Sequence, residues 1–321
     1  MNRRDFITLL GGAAGAWPLA ARAQQRAMPV IGFLASSRDA FRLHAFRQGL
    51  KEAGFIETEN VAIEYRWADD QIGRLAVLAE DLARRQVAVI AAIGGVPSAF
   101  AAKAATTTIP IVFLAGEDPV KLGLVASLAR PGGNLTGINV FGIELAAKRF
   151  ELLRQLVPGA TRIAVLVDPA NAAGTESTLK GVEAAVGGMW RQIQVLNAST
   201  IGEIDAAFAT PVSERPEGLI VGSGAFLIDR RAQLAQLAAH YSVPVIHVDR
   251  MYAEVGGLMS YGANLADGYR HVGVYTGRIL KGERPVDLPV VQSSKFELVI
   301  NASTARMLGL AIPPSLLATA D

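Results

Sequence analysis

The stretch IVFLAGEDPVKLG, residues 111–123, passes in one sweep from an apolar run to an acidic turn. Ile111–Leu114 is too short for a helix and has the length and continuity of a strand buried on both faces. Gly116 ends it and hands over to Glu117, Asp118 and Pro119. An aspartate before proline suits a helix start, because the carboxylate accepts the first free amides and proline fits the first turn. The pattern therefore predicts a helix over Val120–Ala129. Strand, polar loop and helix in that order make up half of a βαβ unit, and open α/β sheets hold ligands beyond the carboxyl ends of their strands.

The same rhythm runs in both directions. Val30–Leu34, Val61–Tyr65 and Val87–Ile93 read as earlier strands, with apolar residues at helical spacing between them. The alternation breaks at Pro131-Gly132-Gly133-Asn134, which reads as a first hinge crossing. It resumes with a helix over Leu145–Leu156, then Ile163–Val167, Ile193–Leu196, Leu219–Val221, a helix over Leu227–His240 and Val243–His247. Short apolar strands joined by helices imply parallel sheets covered on both faces. The expected fold is α/β with two Rossmann-like lobes: residues 29–140, residues 141–248, and a remainder, 249–321, that crosses back to complete both.

Composition narrows the function. Hydrophobic residues make up 51% and charged residues 19% of the 321, enough to bury two large cores. The net charge of +2 comes from the first residues. Residues 1–23 hold Arg3, Arg4, Arg22 and Asp5, and their removal takes 31 basic and 29 acidic residues to 28 and 28. A neutral chain has no electrostatic footprint for nucleic acid. Arg3-Arg4, the short apolar segment Ile7–Ala16 and Ala21-Arg22-Ala23 read as a signal peptide of the twin-arginine kind, so the expected location is the periplasm. That apolar segment is too short to span a membrane, and no other segment does so. Without cysteine there is no disulfide, thiolate metal site, cysteine nucleophile or lipid anchor.

Catalytic and cofactor motifs do not appear, and no cofactor is expected. His44, His240, His247 and His271 have no metal-ligand spacing. Gly222-Ser223-Gly224 starts a dinucleotide motif, but Leu227 stands where its third glycine belongs. Leu258-Met259-Ser260-Tyr261-Gly262 lacks the first glycine of a serine nucleophile elbow. Glu117 and Asp118 are adjacent on an extended chain and so point apart. What recurs is a small polar loop after each strand: Ser36-Ser37, Gly95-Val96-Pro97-Ser98, Asp118-Pro119, Asn171 after Asp168, and Ser223. Glycines there allow close approach of backbone to ligand, and amides at helix starts favour anions. Tyr65, Trp67 and Tyr261 are candidates to stack on a ligand, Arg66 to pair with a carboxylate, and Asp249 is a further polar candidate. Two lobes with such loops form a cleft that closes on a small molecule.

Several segments also resemble a known family. IPIVF (109–113), DPV (118–120), LARPGGNLTG (128–137), GGLMSYG (256–262), ILKG (279–282), DLPV (287–290), FELVIN (296–301) and IPPSLL (312–317) are similar to ABC-transporter substrate-binding proteins of the tryptophan/tyrosine-binding-like group. The resemblance covers nearly all of residues 29–321. It implies a periplasmic-binding-protein type I fold with a three-segment hinge, a small-molecule ligand between the lobes, ABC permease transmembrane subunits as partners, and a monomer without enzymatic activity. An exported cleft enzyme and a ligand-sensing module are the alternatives. Two departures bear on the ligand. Val96 replaces the threonine of the family's Gly-Gly-Thr-Pro, and Ser223-Gly224 stand where many members carry an acid after Gly222. An amino acid and an aromatic or branched carboxylate are both compatible with this pattern.

Overall fold

The computed structural model describes residues 28–140, 143–186, 192–209 and 215–321; the signal peptide read over residues 1–23 lies outside them. Six strands, β1 (Val30–Ala35), β2 (Ala62–Trp67), β3 (Val89–Ala92), β4 (Ile111–Ala115), β5 (Leu135–Asn139) and β11 (Val291–Gln292), form one sheet in the order β11-β5-β4-β3-β1-β2. Six more, β6 (Arg162–Val167), β7 (Gln192–Asn197), β8 (Gly218–Val221), β9 (Val245–His247), β10 (Met259–Ala263) and β12 (Phe296–Ile300), form the other in the order β12-β10-β9-β8-β6-β7. Five strands of each sheet repeat one doubly wound order, 2-1-3-4-5 and 7-6-8-9-10, with the switch point beside β1 and β6. Among the described residues only β12 runs antiparallel, against β10.

Each sheet is buried on both faces, which is why its strands are apolar without interruption. Along β1, Ile31, Phe33 and Ala35 join one core cluster while Leu34 joins another on the opposite face. Along β6, Ile163, Val165 and Val167 face one cluster, Ala164 and Leu166 the other. The helix Leu265–Leu280 follows β10 of the second sheet yet covers the first, packing Tyr269, Val272 and Ile279 with Phe46 and Leu50 of the helix Ala40–Glu52. The chain thus passes between lobes after β5, after β10, and between β11 and β12. This is the two-lobed periplasmic-binding-protein type I arrangement.

Three expectations are corrected. Pro131-Gly132-Gly133 is not a crossing, because β5 follows it in the first sheet. That strand escapes pattern reading since its sequence, LTGIN, is half polar; it is buried because Thr136 donates to the Leu288 carbonyl at 2.7 Å and Gly137 lies flat on Phe113. Second, Val120–Ala129 forms turns, not a helix. The Gly123 amide bonds back to the Val120 carbonyl, and Gly123 sits at φ 70°, a left-handed conformation that ends helical winding. Third, the helix expected over Leu227–His240 is two, Ala225–Asp229 and Arg231–Tyr241.

Candidate functional site

The carboxyl ends of strands from both sheets converge on one partly open cavity of about 90 Å³. Ser36 enters from β1, Gly94 through Pro97 from β3, Gly116 and Glu117 from β4 and Val140 from β5. The second lobe supplies Arg149, Asp168, Asn171, Ser223 through Phe226, and Val248. Most of the wall is apolar, with Ile93, Leu114, Leu145 and Phe226 prominent, and Tyr269 adds a further aromatic ring. A mainly apolar hollow with few polar groups is the usual make-up of a small-molecule site.

On the first lobe, Gly94 passes so close to β1 that a Cβ there would lie 2.6 Å from the Ser36 amide nitrogen. Gly95, at φ 78°, turns the chain into the helix Val96–Ala105, whose start lies at the cavity. Glu117 is buried, and its carboxylate accepts from the Asn171 side-chain amide of the other lobe at 3.4 Å. Burial pushes its carboxyl upward, and the Asn171 hydrogen bond only partly offsets this. Asp70 also faces the cavity and pairs with Arg230 across the cleft.

On the second lobe, Asn171 also accepts from the Gly174 amide at 3.3 Å, which fixes its side chain at the start of the helix Ala172–Val186. Asp168 accepts from the Ser199 hydroxyl at 2.5 Å and the Ala170 amide at 3.0 Å. Arg149, from the helix Ile143–Leu156, is 1% exposed and donates from Nη1 to the Tyr261 carbonyl at 3.3 Å. Burial draws it down to about 10.

Of the residues singled out in the sequence, Ser36, Gly95, Val96, Pro97, Asn171 and Ser223 are brought together on the cavity wall. The others stand elsewhere. Ser37 lies at the cleft mouth, its hydroxyl donating to Asp229. Ser98 is wholly buried and turns its hydroxyl back to the Gly95 carbonyl at 2.8 Å. Asp118 faces away and caps its own turn, accepting from Val120 and Lys121 amides at 2.9 and 3.2 Å, while Pro119 is buried in that turn. Asp249 lies beneath the wall and accepts from the Met251 amide. The Tyr261 ring packs on the second lobe's core, leaving its carbonyl to Arg149. Tyr65 and Trp67 stack on each other at 5.7 Å, and Arg66 pairs with Glu64 and Asp81. Arg149 and Tyr269 gave no signal in the sequence, since each occupies one turn of an ordinary amphipathic helix. Among the described residues no His, Asp or Glu cluster could hold a metal ion, and no helix is long and apolar enough to cross a membrane.

Charged pairs bridge the lobes at the mouth. Arg42 pairs with Asp229, Arg231 with Asp39 at 2.9 Å, and Arg230 with Asp70. These contacts describe a closed cleft.

Comparison with known proteins agrees with this architecture. A model of the family described as ABC transporter substrate binding protein matches residues 30–321. A tyrosine-binding protein from Clostridioides difficile is 26% identical over 281 residues, 83% of this chain and 75% of that protein. An ABC domain from Streptococcus pneumonia, solved in complex with L-Trp, superposes with a TM-score of 0.80 at 22% identity, covering 92% of this chain and 99% of that one. A ligand-free, open substrate-binding protein with adhesive properties from Clostridium difficile gives 0.62 at 25% identity, covering 89% and 96%.

Proposed function

Since the chain belongs to the ABC transporter substrate-binding protein family, we propose that it captures a small organic solute outside the cytoplasmic membrane and hands it to the permease subunits of an ABC importer. The observation that carries this is the shared cavity: strand ends of both lobes meet there, so one bound molecule touches both and favours their closure. The solute is an amino acid or an aromatic or branched carboxylate. The tyrosine-binding relative and the L-Trp complex favour the first. Glu117 offers this chain a replacement for the acid missing after Gly222, because its buried carboxylate reaches the cavity from the other lobe. Arg3-Arg4 directs export by the twin-arginine route to the periplasm, where the protein acts as a monomer.

The same geometry supports binding without turnover. Glu117 points into the cleft and Asp118 out of it, so they do not work as an acid–base pair on one substrate. Thermal unfolding against a panel of amino acids and aromatic or branched carboxylates tests the function. A solute at 100 times its dissociation constant should add about 2.7 kcal/mol and be recovered unchanged. A chemically converted solute would instead identify an enzyme.

A further inference from the structure

One charge in the cavity wall is left without a counter-charge. Arg149 is as buried as Arg42, but Arg42 has Asp229 as its ion-pair partner, whereas among the described residues no carboxylate pairs with Arg149. Its Nη1 is used on the Tyr261 carbonyl, while Nε and Nη2 have no hydrogen-bond partner. Those two nitrogens lie on one edge of the guanidinium and present the parallel N–H pair that a carboxylate bridges with both oxygens. An unpaired buried cation is costly, and its donors cannot reach bulk water from this position. Arg149 lines a cavity whose remaining surface is largely Ile93, Leu114, Val140, Leu145, Phe226 and Val248.

None of the acids on the wall pairs with Arg149. Asp70 pairs with Arg230, Asp168 with the Ser199 hydroxyl, and Glu117 with the Asn171 amide. A ligand therefore meets one free cation set in apolar surroundings. We infer that Arg149 receives the carboxylate of the captured solute, and that the solute is a compact organic acid whose remaining body is apolar. This rests on the solute-binding function proposed above and adds its ligand-anion receptor. The acid is held by the second lobe, and an α-amino group, where the solute has one, falls to Glu117 of the first. The cavity thus reads the carboxylate as the obligatory feature and the amine as the accessory one.

The test pairs each acid with its own primary amide. The purified protein is titrated calorimetrically with aromatic and branched-chain carboxylic acids, with and without an α-amino group, with the matching amides, and with neutral sugars. Acids should bind and their amides should not. Arg149→Met should weaken the acids by roughly 100-fold or more, the loss expected when two charge-assisted hydrogen bonds disappear. Arg149→Lys, which keeps the charge but not the fork, should fall between. Ligand-free Arg149→Met should unfold at a temperature no lower than wild type, since it loses an uncompensated charge; a structural arginine would give a clear drop. Amides or sugars that bind as tightly as acids would overturn the role of Arg149 while leaving solute capture standing. Acid affinity unchanged in Arg149→Met would do the same. If nothing in the panel binds, both the ligand class and the solute-binding function fall together.

Discussion

Arg42 of the first lobe and Asp229 of the second form an ion pair across the cleft mouth, with both side chains almost fully shielded from solvent. Ser36 and Ser37 reach the same carboxylate, so one acidic side chain gathers three groups from the opposite lobe. Burial pushes the Asp229 carboxyl upward, while Arg42 and the Ser37 hydroxyl oppose this. The pair joins the two lobes, so opening the cleft would separate it.

Asp229→Ala should therefore act on closure more than on folding. With the lobes together it leaves Arg42 buried and unpaired, a loss of about 3–5 kcal/mol for a broken buried pair. Opening the cleft hydrates Arg42 and avoids most of that cost. Small-angle scattering should show a larger radius of gyration for the variant without ligand, and solute affinity should drop. A scattering profile and affinity equal to wild type would show that closure does not depend on this pair.

Gly49 and Gly273 set the approach of the helix Ala40–Glu52 to Leu265–Leu280. A Cβ on Gly49 would lie 1.8 Å from the Arg270 carbonyl oxygen, and one on Gly273 would lie 2.1 Å from that of Phe46. Both obstacles are backbone, so the helices themselves must separate. Gly49→Ala gains about 1 kcal/mol of helix propensity. Overpacking costs about 1–3 kcal/mol, and more where backbone must move. The contact wins, and the first lobe should unfold at a lower temperature by roughly 2–4 °C per kcal/mol lost. A calorimetric trace with an unchanged or higher midpoint would show that the helices part freely.

The sequence makes the lobes legible through strands buried on both faces, whose continuous apolar runs need no partner to be recognised. Leu135–Asn139 is missed because Thr136 and Gly137 owe their burial to Leu288 and Phe113, residues distant in sequence. The candidate site divides in the same way. Loops after strands, such as Gly94–Pro97 and Ser223, announce themselves by glycine and small polar residues. Arg149 and Tyr269 do not, because only the packing of their helices aims them at the cavity. Asp118 is conspicuous in sequence for capping a turn, and Glu117 beside it is the residue aimed inward.

Export supplies a prediction at the other end of the chain. Replacing Arg3-Arg4 by two lysines should leave the precursor in the cytoplasm, because the twin-arginine pathway reads the arginine pair as an address. Cell fractionation checks this. Mature protein appearing in the periplasm in undiminished amount would point to the general secretory route.

Asp249 should give the protein a measurable pH dependence. It is 2% exposed, and burial pushes its carboxyl from an ordinary value of 3.8 up to about 6, with the Met251 amide and Arg231 opposing and Asp39 adding to the shift. The folded chain therefore holds a proton there that the unfolded chain releases over that interval. Its contribution to stability is full below about pH 4 and is lost as pH rises through about 6, a change of roughly 3 kcal/mol. Surface carboxylates such as Asp81, held down to about 2 by hydrogen bonding to Arg66, titrate below this window. Asp249→Asn keeps an oxygen that accepts from the Met251 amide but cannot ionise. The variant should match wild type near pH 4 and exceed it at pH 7 and above by an amount approaching that 3 kcal/mol. Urea denaturation of both proteins at pH 4, 5, 6 and 7 measures the gap. If it stays constant across the series, or wild type is the more stable at pH 7, Asp249 is ionised at no cost, and Arg231 and Arg42 compensate its charge in full.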